Sequence, residues 1–246
     1  ILAQTLAIQD FEDWGKRDFG RPCSDPHAGM LPPKVARMMV NLGSWNLETG
    51  SLTLLDPFCG VGTILAEAMT MGYEVIGTDL SGAAVEKSRK NLEWLGINNF
   101  QLFQMDATHL SEKIAAESLD AIVTEPYLGP IFVIPAKAGI QCPRQRSRFP
   151  IRSGMTEENQ KINNIILGLD KLYIGCLREW RKILKPDGMV VMAFPSFKIN
   201  NREFFVKKAL DSCEDLGYTL EIGPLTYSRP QAVVRRNIYI LKYGTH

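Results

Sequence analysis

The chain has 246 residues, 45% of them hydrophobic, with 28 Lys and Arg against 27 Asp and Glu and a formal net charge of +1. That length buries a full core without staples, and the hydrophobic share at modest charge excludes a disordered chain. The longest apolar runs, such as 189–194, are too short to span a bilayer and no signal peptide opens the sequence, so a soluble, cytoplasmic protein is expected.

Residues 1–50 read as an N-terminal helical segment. Ile1 stands where a complete chain would carry Met, so a portion upstream of it is expected. Pro32-Pro33 is a helix start that places Ala36, Met39 and Val40 on one buried face. Residues 51–246 form the main domain, in which apolar β-rich runs alternate with helical stretches. Strands are predicted over 51–56, 73–79, 100–106 and 119–124, with a helix over 62–71. Ser81 can N-cap the next helix, whose apolar positions include Ala84, Leu92 and Leu95, and Gly96 stands where a C-cap glycine belongs. A long helix over 156–184 ends in the turn Lys185-Pro186-Asp187-Gly188, and a fifth strand covers 188–195. Two further strands, 218–227 and 237–243, read as antiparallel neighbours. Such alternation specifies an α/β fold with a parallel sheet and crossover helices.

Residues 131–154 break this pattern with three prolines, no acid and five basic residues, Lys137, Arg144, Arg146, Arg148 and Arg152. A basic run can serve as a nucleic-acid arm, but an inserted, solvated loop is the favoured reading, because a compact domain rarely needs so long an irregular connection. The stretch 133–141 also resembles the peptide encoded by a dispersed bacterial DNA repeat, and on that reading it carries no evolved function. Taking the five basic residues of 131–154 from the 28 leaves 23 against 27 acids, or −4, so the near-neutral total averages an acidic domain and a basic insert.

The five cysteines, Cys23, Cys59, Cys142, Cys176 and Cys213, form no C-x-x-C pair, and their odd number fits reduced thiols. His27, His109 and His246 lack companions at ligand spacing, so no metal site is expected.

The strongest local signal is Asp56-Pro57-Phe58-Cys59-Gly60-Val61-Gly62-Thr63, where the first strand gives way to a helix. Glycines there let a ligand approach the backbone, and the helix N-terminus offers free N–H groups. A dinucleotide loop would place a third glycine where Leu65 stands, and the Gly-Lys-Ser/Thr of a phosphate loop is absent. Asp79 closes the second strand, suited to accept hydrogen bonds from the hydroxyls of a ribose, and Asp106 closes the third, placed to meet an adenine amino group.

In this order and spacing, the segment from Asp56 to Asp106 resembles the S-adenosylmethionine-binding half of class I methyltransferases. The resemblance implies a Rossmann-like, mostly parallel seven-stranded sheet with an antiparallel strand near the C-terminus and helices on both faces. It also implies S-adenosylmethionine as cofactor, held by Pro32, Asp56, Phe58, Cys59, Gly60, Gly62, Thr63, Asp79, Leu80, Asp106 and Ala107, with residues 1–50 closing that site. The loop wording is similar to that of the amino-methyltransferases of nucleic acids, which carry Asp/Asn/Ser-Pro-Pro-Tyr/Phe after the fourth strand. Thr124-Glu125-Pro126-Tyr127 stands at that place, either with Thr124 and Glu125 replacing the acid and the first proline, or with Glu125 replacing the acid and one proline missing. The second alignment is preferred because it keeps a carboxylate.

An exocyclic amino group is a poor nucleophile, since its lone pair is delocalised into the base. Acceptors around its protons favour the charge that develops at nitrogen. Glu125 and the Glu125 and Pro126 carbonyls are candidate acceptors, and Tyr127 would stack on a base drawn out of its helix. Residues 17–22 (Arg17-Asp18-Phe19-Gly20-Arg21-Pro22), 29–36, Tyr227-Ser228-Arg229-Pro230 and Arg235-Arg236-Asn237-Ile238-Tyr239 resemble in particular the tRNA guanosine-N2 methyltransferases that act at position 10. That similarity covers roughly 9–243 apart from the insert, and it implies a tRNA partner met by Arg17, Arg21, Tyr127, Arg229 and Arg235. Lys34, Arg37 and Arg236 complete the local basic patches. Members of that family carry an N-terminal RNA-binding module of the THUMP type that this sequence lacks, in keeping with an expected upstream portion. Two other functions stay open: an adenine amino-methyltransferase for DNA or ribosomal RNA, and a binding remnant disabled by the insert. The oligomeric state is not specified, a monomer being the simplest expectation.

Overall fold

The computed structural model describes residues 4–6, 8–24, 30–45, 47, 52–130, 157–199, 202–229 and 232–244. The basic insert 131–154, with Cys142, and also His27, His246, Ser51 and Pro230 lie outside the described residues. The strands are β1 (Thr53–Asp56), β2 (Glu74–Asp79), β3 (Phe100–Gln104), β4 (Leu119–Thr124), β5 (Leu184–Ile199), β6 (Arg202–Phe205), β7 (Tyr218–Tyr227) and β8 (Val234–Tyr243). The helices are α1 (Phe11–Gly15), running into a π-helical turn over Lys16–Gly20, then α2 (Pro33–Ser44), α3 (Thr63–Thr70), α4 (Gly82–Trp94), α5 (Glu157–Trp180) and α6 (Lys207–Asp211). Pro33 opens α2 at its first turn, and the Ser81 hydroxyl accepts the Ala84 N–H to cap α4, as the sequence predicts.

Seven strands lie in the order β3-β2-β1-β4-β5-β8-β7, and β6 pairs with β5 off this path as an eighth. β1 pairs in parallel with β2 and β4, β2 with β3, and β4 with β5, whereas β8 runs antiparallel between β5 and β7. This is the expected sheet, with the addition of β6. The expected Lys185–Gly188 turn lies inside β5: the register with β4 jumps from Leu119↔Leu184 to Ala121↔Met189, and the intervening residues bulge out with Asp187 at φ +64°. Pro195 was expected to end the fifth strand, but β5 continues to Ile199. β4 flanks β5 as far as Met192 and β6 takes over from Ser196, so the proline falls between the two partners.

Alternate residues of the central strands feed two cores. Leu55, Ile122, Val190, Met192, Phe194, Tyr239 and Leu241 pack with Leu169, Tyr173, Leu177 and Trp180 of α5. Leu54, Ala121, Val123, Met189, Val191, Ala193, Ile238 and Ile240 pack on the other face with Met39 and Val40 of α2, Leu65 and Ala68 of α3 and Leu92 of α4. The period of two in side-chain direction therefore places helices on both faces.

The segment before α2 is held by polar contacts. Glu67 of α3 is 1% exposed and accepts from Arg17 Nε at 2.7 Å and Arg37 Nε at 2.9 Å. Arg17 also pairs with Asp13 and lies over the Trp14 ring, 4.5 Å from its centroid. A buried carboxylate costs several kcal/mol unless paired, so removing one partner should be expensive. Arg17→Met is expected to lower unfolding free energy by about 2–4 kcal/mol, read from denaturant midpoints. Adding Glu67→Met should recover most of that loss, because the deeply buried carboxylate is then gone, and Arg37, at 26% exposure, keeps water and Thr70 Oγ1.

Candidate active site

Parallel pairing of β1 with β2 and β4 brings Asp56, Asp79 and the Thr124–Tyr127 stretch to one edge of the sheet. Asp56 is buried, and its Oδ1 accepts from the Phe58 N–H at 3.1 Å and from Thr124 Oγ1 at 2.7 Å. Burial pushes its carboxyl up to about 7 against the opposing pull of those two donors. Thr124 is fully buried, with its hydroxyl engaged by Asp56.

The glycine loop is tied to β2. Cys59 N donates to the Thr78 carbonyl at 2.9 Å and Gly60 N to Asp79 Oδ2 at 3.0 Å, while Asp79 Oδ1 accepts from Ser81 N at 2.9 Å. Gly60 has φ +53° and Gly62 φ +83°, both in the region that favours glycine, yet their surroundings differ. A Cβ on Gly60 would come no nearer than 3.9 Å to any atom, whereas one on Gly62 would meet Ser88 Oγ at 2.4 Å. Gly60 therefore presents open backbone at the sheet edge, and Gly62 lets α3 pack against α4.

The remaining cofactor candidates divide in the same way. Leu80 is 71% exposed beside Asp79, and Asp106 is half exposed with its Oδ1 accepting from Thr108 N and Oγ1 at 2.9 and 2.7 Å. The Thr108 N–H holds the Asp106 carboxyl below the usual range. Ala107 is buried and its carbonyl accepts from Trp180 Nε1 at 3.1 Å. Phe58 is half-buried against the α5 core and Cys59 is buried, its thiol pushed well up by that burial and therefore unsuited to nucleophilic work. The Pro32 carbonyl accepts from the N–H groups of Val35 and Ala36 at the start of α2. Thr63 faces the N-terminal segment, its Oγ1 accepting from Arg21 Nη1 at 2.7 Å.

On the β4 side, Pro126 is buried and Tyr127 is 56% exposed, its carbonyl held by Tyr173 Oη at 2.6 Å. Glu125 forms an ion pair with Arg236 of β8, in surroundings where the two side chains are 15% and 11% exposed. Burial pushes its carboxyl up, and Arg236 opposes this.

Of the four arginines expected to face RNA, two lie inside the fold. Arg17 and Arg21 are buried at 6% and 9%, committed to Glu67 and Thr63, because α3 carries a buried carboxylate and hydroxyl that need donors. Arg229 is exposed and donates to the Met30 carbonyl at 3.3 Å, and Arg235 is half-buried opposite Ser196. Three residues take parts that sequence reasoning did not assign. Arg236, which by sequence belongs to a family-like stretch and a basic patch, pairs with Glu125. Asn91 of α4 donates to the Val61 and Cys23 carbonyls at 2.8 and 2.9 Å and accepts the Cys23 N–H at 2.9 Å, tying the glycine loop to the N-terminal segment. Tyr173 reaches the Tyr127 carbonyl from a helix separated from it by the insert. Nothing in linear spacing points to these long-range partners.

Among the described residues no group of three or more His, Cys, Asp or Glu could hold a metal ion, and no helix is long and apolar enough to cross a membrane.

Residues 21–130 match the family UPF0020, described as an RMKL-like methyltransferase domain. A tRNA (guanine(10)-N2)-dimethyltransferase of Methanothermobacter thermautotrophicus is 42% identical over 130 residues, 52% of this chain and 36% of that protein. An enzyme of the same name from Pyrococcus abyssi is 31% identical over 222 residues, 90% of this chain and 52% of that protein. The chain thus spans about half or less of the length of these relatives. In structure it is similar to TrmN from Thermus thermophilus, with TM-score 0.58, 21% identity and coverage of 87% of this chain and 49% of that one. It is also similar to a putative RNA methyltransferase from Pyrococcus horikoshii, with TM-score 0.54, 14% identity and coverage of 95% and 96%. Residues 21–130 thus match an RMKL-like methyltransferase domain, and the chain as a whole has the Rossmann-like fold of these solved methyltransferases.

Proposed function

We propose that the protein transfers a methyl group from S-adenosylmethionine to the exocyclic N2 amino group of a guanosine in tRNA, at position 10 as in the relatives' names. The observation that carries this reading is the juxtaposition, across neighbouring strands β1 and β4, of the glycine loop tied to Asp79 and the Glu125-Pro126-Tyr127 stretch with its exposed ring. The open face of Gly60, the Asp79 and Asp106 carboxylates and the exposed Leu80 fit a nucleoside with a ribose, an adenine amino group and an apolar ring face.

S-adenosylmethionine, when bound, supplies a methyl group on a positively charged sulfur that departs as a neutral thioether. Asp79 would accept the ribose hydroxyls and Asp106 the adenine amino group. Tyr127, with its backbone carbonyl clamped by Tyr173, presents a ring on which the extruded base can stack. Glu125 accepts a hydrogen bond from the guanine amino group, and takes its proton once nitrogen has bonded to the methyl carbon. Holding amine and methyl in line supplies most of the rate, and the buried surroundings of Glu125 strengthen its interaction with the nitrogen as it becomes positive.

Incubating the protein with unmodified tRNA and labelled cofactor, then separating nucleosides by mass, should yield N2-methylguanosine. Labelled N6-methyladenosine from another nucleic acid, or cofactor binding without transfer, would each overturn the reading. Glu125→Ala is expected to lower transfer by about a hundredfold or more while cofactor affinity, followed by calorimetry, stays near wild type. Asp79→Ala should act in the opposite order, weakening cofactor binding first; equal losses in both variants would refute this division of roles.

A further inference from the structure

Among the described residues, the Glu125 carboxylate is held at one of its oxygens. Arg236 Nε donates to Oε1, and among the described residues Oε2 takes no hydrogen bond. Arg236 itself is well fixed: it sits on β8 opposite Pro195 of β5 and Tyr227 of β7, with its guanidinium over the Tyr227 ring at 6.0 Å from the centroid. The pair lies between two groups the site needs, next to Thr124, which is bound to Asp56, and two residues before the exposed Tyr127. A glutamate has one more rotatable bond than an aspartate, so an acceptor of this length is aimed only if something holds it.

Charge points the same way. The Arg236 and Arg229 charges favour the ionised form of Glu125, while the Glu125 charge in turn raises the proton affinity of Asp56 and of the Tyr173 hydroxyl. Burial alone would favour the protonated acid, which is a poor acceptor for an amine proton.

We propose that Arg236 is a positioning residue for methyl transfer: it anchors Glu125 Oε1 and so keeps Oε2 ionised and directed at the incoming amino group. This rests on the reading of Glu125 as the acceptor for the target amine. Arg236→Met removes the anchor and the charge, whereas Arg236→Lys keeps the charge without the planar fork.

The decisive measurement is a ¹³C-carboxyl titration of glutamate-labelled protein, with the Glu125 signal assigned from Glu125→Gln, followed for wild type and both variants. The Glu125 midpoint should move to higher pH by about one unit or more in Arg236→Met and stay near wild type in Arg236→Lys. In the transfer assay, Arg236→Met should lose about tenfold or more in kcat at pH 6 and recover part of it at pH 8, with little change in KM for the cofactor. Arg236→Lys should keep the wild-type pH profile at a reduced kcat, and on a Glu125→Gln background it should cost little more. An unmoved Glu125 midpoint in Arg236→Met, or a kcat loss equal at every pH, overturns the proposal. If Arg236→Met does not fold, the same decision falls to Arg236→Lys: a further kcat loss on the Glu125→Gln background as large as on wild type overturns it. Absence of methyl transfer by the wild type would sink the proposed function instead, and the titration still decides whether Arg236 governs Glu125.

Discussion

The buried carboxylate of Asp56 is the constraint on which this edge of the sheet depends. A fully desolvated acid at the end of β1 must find donors, and it finds them in the Phe58 N–H and the Thr124 hydroxyl. The first bond shapes the turn that leads into the glycine loop. The second ties that turn to the end of β4, one residue before Glu125. The glycine-loop turn and the end of β4 are therefore joined through the Asp56 side chain, and neither can shift without leaving a buried oxygen short of a partner. Its position beside Asp79 and Glu125 adds like-charge repulsion, which reinforces burial in raising its affinity for a proton.

A second layer of polar contacts supports that edge from the helical side. Asn91 satisfies the Val61 carbonyl within the loop and both backbone groups of Cys23, and Arg21 reaches Thr63 at the start of α3. The arginine cluster before the first strand thus acts inward. Its guanidinium groups neutralise Glu67 and pack on Trp14, which fastens residues 10–24 to α3 and α4.

Much of the fold could be read from linear pattern because the relevant rules are local. Alternating apolar runs and helical stretches announced a parallel sheet, and the five strands from β1 to β5 fall where the runs do. The departures have local causes that pattern alone misjudges. Pro195 reads as a strand end, but it falls where β4 gives way to β6 on one edge of β5, while pairing with β8 continues along the other. Lys185–Gly188 reads as a turn, but these residues form a bulge within β5, which starts before them and runs on beyond them. β6 is four residues long and carries no signal apart from its pairing with the extended end of β5.

At the site, residue types and their order along the chain were legible: the glycines of the loop, the acids at the ends of β1 and β2 and after β3, and a carboxylate and aromatic after β4. These follow from sequence because each sits at a strand end, and parallel strands deliver their C-terminal ends to one edge. What only the tertiary structure decided is which way each side chain is committed. Thr124 and Thr63 turn into the scaffold, Arg17 and Arg21 are consumed by buried oxygens, and Glu125 is met by Arg236 across 111 positions of chain. Burial and pairing between distant strands are properties of packing in three dimensions, and a linear spacing holds no record of them.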